Sequence, residues 1–173
     1  VYDTGKRGEN ALGAKRTASF SDREFNAVCA RHFINYDASP FEYTPLPDAV
    51  GNMLIVSYGD FMDEMAPFVS WKQGIGYNVE MVDYATIGSA SALKTYVANY
   101  YNTNGLTYLL LVGDHAQVPT SSTSAGDSDN NYGYIVGNDH YLDIFVGRFS
   151  AETGAQVTTQ VDRTIHYERD VLS

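Results

Sequence analysis

Cysteine is nearly missing from this chain: Cys29 stands alone among 173 residues. That excludes a disulfide framework and any metal centre built from several thiolates, and leaves a structural thiol as the default role of Cys29. Basic side chains are scarce too, 11 Lys and Arg against 21 Asp and Glu, giving a formal net charge of −10 at pH 7. Without a basic run to neutralise phosphates, nucleic acid is excluded as a partner. Long apolar runs are lacking as well. The longest, around Leu109 to Val112, falls far short of the roughly eighteen residues a membrane-crossing helix needs. No GxSxG, Walker or GxGxxG motif occurs, and His32, His115, His140 and His166 never approach an HExxH spacing. Residue types alone therefore demonstrate no catalysis. The first residues carry neither a basic nor an apolar leader pattern, so any export signal is expected to have been removed or to lie upstream of them.

What is present is enough apolar material, 44% of the residues, for one compact domain with a buried core. The 14 tyrosines, with abundant Asn, Ser and Thr, hint at the surface of an exported bacterial protein. Residues 1–42 are polar and Gly-bearing without a sustained period, which reads as a tail or linker. Pro40, Pro45, Pro47 and Gly51 then force an extended approach and place a boundary near Tyr43, opening a domain over 43–173.

From Met53 the pattern alternates between strand and helix. MLIVSY (53–58) is a continuous apolar run between glycines, predicting a strand covered on both faces. A helix capped by Asp63 is predicted to run to about Gln73, with Pro67 in its first turn and Gly74 and Gly76 ending it. YNVEMVD (77–83) has period two, a second strand. Ser89 or Ser91 then opens a helix with Leu93, Tyr96, Val97 and Tyr100 on one face, closed by Asn104-Gly105, before the buried strand LTYLLLV (106–112). This order requires right-handed crossovers, hence a doubly wound α/β fold with a mostly parallel sheet and helices on both faces. Two further short strands are predicted at 132–136 and 143–149, then a helix from about Glu152 carrying Val157, Val161 and Ile165. The sheet reads as unfinished, with another strand expected after that helix.

Ligands in open α/β sheets gather beyond the carboxyl ends of the strands, where Gly113-Asp114-His115 falls. Asp114 either binds a metal or caps the turn that follows it. In the segment GNDHYLD (137–143), Asp139 and Asp143 lie four apart; folded against Asp114, with the carbonyls of Val136 and Tyr141, they offer the hard oxygens calcium prefers. A solvated acidic hairpin is the alternative. Asp127 to Gly133 begins like an EF-hand loop, but its glycine stands at the seventh place and Asn138 occupies the twelfth, so it reads as a polar turn.

Four runs, LTYLLLVGDH (106–115), YGYIVGNDHY (132–141), FVGRFSAET (145–153) and TQVDRTIHYER (159–169), occur in order and together resemble the gingipain family of secreted cysteine endopeptidases, the Arg-specific members more closely than the Lys-specific. PFVSWKQGIGYNVEMV (67–82) fits the same family, and YTPL (43–46) resembles the start of its mature catalytic domain. The resemblance implies a caspase-like fold in which 43–173 is the first of two catalytic subdomains, with residues 1–42 the end of an inhibitory prodomain. It places the catalytic dyad, a His followed by Gly and a nucleophilic Cys, on a C-terminal continuation, so no catalytic residue is expected here. It implies a calcium ion held by Asp114, the Val136 carbonyl, Asp139, the Tyr141 carbonyl and Asp143, the last standing where the family usually carries Glu. The implied partners are the C-terminal catalytic subdomain of the same precursor and protein or peptide substrates cut after a basic residue, Arg ahead of Lys, outside the cell or on its surface. The rival readings are a non-proteolytic or transpeptidase-like relative and a calcium-binding structural module.

Overall fold

Runs that are apolar without alternation have to be covered on both sides, and the two such runs of this chain become neighbouring central strands. The computed structural model describes residues 27–28, 31–32, 51–123, 126–137, 139 and 141–171. Nearly all of the expected tail over 1–42, the boundary near Tyr43 and Cys29 lie outside the described residues. Strand β1 (Asn52–Ser57) leads through a 3₁₀ turn to helix α1 (Met62–Gly74), β2 (Asn78–Asp83), α2 (Ala90–Asn104) and β3 (Tyr108–Val112). A short pair, β4 (Ser121–Thr123) and β5 (Gly126–Ser128), precedes a 3₁₀ turn at Asp129–Gly133, then β6 (Phe145–Phe149) and α3 (Gly154–His166). The main sheet has the order β2-β1-β3-β6, and every pairing in it is parallel.

Register decides the two faces. Leu54 pairs with Leu109 and Val56 with Leu111, and all four pack with Leu93, Val97, Tyr100 and Tyr101 of α2. Met53, Ile55 and Val112 point the other way, onto Met65 and Phe68 of α1 and Val157 and Val161 of α3. Helices therefore cover both faces, as the alternation of elements requires. Ser89 caps α2 by accepting the Ala92 amide at 3.1 Å, and Gly105 ends that helix at φ 72°, a conformation costly for any residue with a Cβ. A final π-helical turn, Tyr167–Val171, is tied to α1 through Glu168, which accepts from Trp71 Nε1 at 2.8 Å and Lys72 Nζ at 2.6 Å. No helix among the described residues is long and apolar enough to cross a membrane.

Three local expectations differ from the structure. Helix α1 is entered from the 3₁₀ turn Gly59–Phe61, whose tight bonds serve the amides that a cap would otherwise take, so Asp63 sits inside the first turn and caps nothing. Pro67 consequently falls in the second turn, on the exposed side. Residues 132–136 are not a strand: Tyr132 is fully buried with its hydroxyl donated to the Pro119 carbonyl at 2.7 Å, and Asp143 takes the amides of Ile135 and Val136 that a strand partner would need. The antiparallel pair forms instead at β4 and β5, inside the polar stretch that carries no apolar alternation.

Leu93 is 0% exposed at the centre of the α2 face, so Leu93→Ala is expected to cost about 2–5 kcal/mol, read as a lower denaturant midpoint. Burial, before any charge, pushes the Tyr132 hydroxyl up to about 12. Its neutral form therefore supports the fold fully below pH 10, and that contribution is lost as pH rises through about 12. In a tyrosinate absorbance titration, Tyr132→Phe is expected to remove a late-ionising component and leave the earlier ones unchanged.

Candidate functional site

Two loops flank the β3–β6 pair, one at each end. At the carboxyl end, Gly113 adopts φ 127°, and a Cβ there would meet Gln117 Cβ at 2.9 Å. The tight turn that follows is closed by the Asp114 carbonyl, which accepts the amides of Gln117 and Val118 at 3.0 and 2.9 Å. The Asp114 amide donates to the Ala151 carbonyl at 2.9 Å, fastening the turn to the end of β6. Its carboxylate accepts from the His115 backbone amide and from Ser150 Oγ, the latter at 3.1 Å, which holds it below the ordinary carboxylate range. These bonds are the turn-capping role.

Arg148 of β6 locks the same end. Its Nε and Nη2 each donate to Asp129 at 2.7 Å, while Nη1 donates to the carbonyls of Gly113 at 2.7 Å and Val118 at 2.8 Å. A planar guanidinium meets a carboxylate with two parallel N–H groups and keeps a further nitrogen for two main-chain acceptors. Arg148 belongs to no recognisable motif in the sequence, and Asp129 reads there as part of a polar turn. The signal was a basic residue in an otherwise apolar strand, at the place paired with buried Leu111.

The acidic loop belongs to the other end. Asp143 is 6% exposed; its amide donates to the Gly133 carbonyl at 2.9 Å, and its Oδ2 accepts the amides of Ile135 and Val136 at 2.9 and 2.8 Å. Asp139 Oδ1 accepts the Tyr141 amide at 3.0 Å, an Asx turn. Lys94 of α2 donates from Nζ to the carbonyls of Asn131 and Tyr134, where the loop begins.

The parallel register separates Asp114 from this loop. Tyr108 pairs with Phe145 and Val112 with Phe149, so about 13 Å of strand, at roughly 3.3 Å per residue, lies between the two levels. Asp114 follows the far level and Asp143 precedes the near one. An ion reaches its oxygens at about 2.3–2.6 Å. Of the five expected donors, Val136, Asp139, Tyr141 and Asp143 share one loop, while Asp114 lies on the turn beyond the other end of the strand pair. No group of three or more His, Cys, Asp and Glu side chains among the described residues is placed to hold a metal; the loop's other two donors are main-chain carbonyls.

The sheet has two edges, β2 and β6, and no strand among the described residues lies beyond β6. A parallel α/β layer of this order is the caspase-like fold of the gingipain catalytic domains. The crystal structure of the Arg specific cysteine proteinase gingipain R superposes with a TM-score of 0.68 at 41% identity, covering 74% of this chain and 31% of that one. The complex of Porphyromonas gingivalis RgpB pro- and mature domains gives 0.67 at 42% identity, covering 69% and 30%. Gingipain R1 of the same organism is 40% identical over 180 residues, all of this chain and 18% of its own length. The family model for peptidase family C25 matches residues 46–173, and the chain belongs to that family. It spans under a third of the length of each of these relatives.

Removing the Arg148 guanidinium leaves Asp129 and two carbonyls without their donor. Arg148→Met is expected to cost about 2–4 kcal/mol in a urea titration. Arg148→Lys is expected to recover little of it, because one ammonium cannot reproduce the four bonds.

Proposed function

We propose that this chain is the first catalytic subdomain of an extracellular cysteine endopeptidase that cleaves after basic residues, Arg in preference to Lys, and that residues 1–42 are the end of its prodomain. The observation that carries the reading is a C25 chain whose parallel sheet ends on an edge strand, β6, with an amphipathic helix behind it. It is supported by the match to gingipain R1, which runs over the whole chain while the family model begins only at residue 46. The described residues contain no cysteine, and His115 is exposed with Nδ1 3.1 Å from Thr120 Oγ1. The reading therefore assigns the thiolate and its histidine to a second subdomain of the same precursor. There the thiolate would attack the scissile carbonyl, and the histidine would carry the proton to the leaving amine. This chain would supply the scaffold that holds that subdomain.

The loop over 136–143 is the proposed calcium site. Its donor set is all hard oxygen: the carbonyls of Val136 and Tyr141 and the carboxylates of Asp139 and Asp143. The short arm of Asp143, already accepting two amides on Oδ2, favours monodentate or water-mediated ligation. Bound there, the ion would stiffen the loop that enters β6.

The full-length protein is expected to hydrolyse peptides after Arg faster than after Lys, to be inactivated by thiol alkylation, and to keep its activity in Cys29→Ala. A mature full-length protein with intact thiols that cleaves neither peptide would refute the peptidase reading. For calcium, an ion present at about 100 times its Kd is expected to raise stability by about 2.7 kcal/mol. Asp139→Asn and Asp143→Asn should each reduce that gain, and Asp114→Asn should leave it intact; equal loss in all three would return Asp114 to the site.

A further inference from the structure

The buried face of α2 consists of Leu93, Val97, Tyr100 and Tyr101, and the row that includes Val97 and Tyr101 reaches back to position 94. That place adjoins the core, yet it carries lysine. The Lys94 ammonium is partly buried and donates to the carbonyls of Asn131 and Tyr134. Those carbonyls bracket buried Tyr132 and Gly133, at the close of the 3₁₀ turn and the start of the acidic loop.

The next two residues, Ile135 and Val136, give their amides to Asp143, and the Asp143 amide returns to Gly133. The segment 131–136 is thus gripped from one side by Lys94 and from the other by Asp143. Burial lowers the readiness of Lys94 to hold its proton, and attraction to Asp143 opposes that effect. Hydrogen bonds from an ammonium are charge-assisted, so losing them costs more than losing neutral ones.

We infer that Lys94 is the loop's built-in cation, a positioning residue that anchors the carbonyls of Asn131 and Tyr134 and so presents the Val136 carbonyl and the Asp143 carboxylate to a divalent ion. Its effect on ion binding rests on the calcium reading above; its anchoring of the loop does not. Both carbonyls that it grips lie outside the proposed donor set, so Lys94 prepares the site without occupying it.

The test uses the full-length protein with Lys94→Met, which keeps an apolar stem and loses the donors, and Lys94→Arg, which keeps charge and donors. Hydrogen exchange at the amides of Ile135 and Val136 is measured in chelator, and affinity is measured by calorimetric titration with calcium alone. Lys94→Met is expected to speed exchange by about tenfold or more and to weaken calcium binding by a similar factor, with Lys94→Arg close to the parent. Unchanged exchange in Lys94→Met would overturn the inference, as would tighter calcium binding, which would make Lys94 a competing charge. If the parent binds no calcium but Lys94→Met still speeds exchange, the anchoring stands and the calcium reading falls. Should Lys94→Met not fold, Lys94→Gln, which keeps an uncharged donor, is read by the same criteria.

Discussion

The parallel pairing of β3 with β6, Tyr108 opposite Phe145 and Val112 opposite Phe149, places everything downstream of the central sheet. A parallel pair cannot be closed by a tight turn, so the chain between Val112 and Phe145 has to travel from the carboxyl end of one strand back to the amino end of the next. Each functional residue of that connection inherits its position from how far along the return it lies. Asp114 is fastened at the start, Arg148 reaches back to that start from β6, and Asp139 and Asp143 arrive only at the end.

The return path has few long apolar segments of its own, and its order comes from polar anchors. In a chain with a net charge of −10, two cations are drawn inward onto main-chain oxygens, Arg148 onto Gly113 and Val118, and Lys94 onto Asn131 and Tyr134. Asp143 performs the complementary task, taking main-chain amides. Between them, Tyr132 supplies a fully buried aromatic plug, its hydroxyl satisfied by Pro119. Backbone that is neither helix nor sheet still has to satisfy its donors and acceptors, and here charged side chains do so.

For a family C25 chain, this layout separates two duties. The central strands and the helices on both faces make one layer, while the loops at its two ends differ in charge chemistry. The edge strand β6 joins them, since its residues meet the carboxyl-end turn through Arg148 and its entry is set by Asp143.

Much of the architecture was legible because burial on both faces leaves continuous apolar runs, and one-sided helices leave a 3.6 period: β1, β3, the α2 face and the Val157–Val161 face all carry those marks. The glycine and serine ends of α2 were legible for the same local reason, since a cap is decided within a few residues. The non-strand course of 132–136 was not, because it depends on Lys94, Pro119 and Asp143 elsewhere in the chain; the 3₁₀ entry to α1 and the pair β4–β5 are local, but neither leaves an apolar period to read. The candidate site divides the same way. Which residues bring hard oxygens was written in the composition of 136–143; that Asp114 stands apart from them, and that Lys94 and Arg148 serve the connection, was decided only when the register of β6 on β3 set their distances.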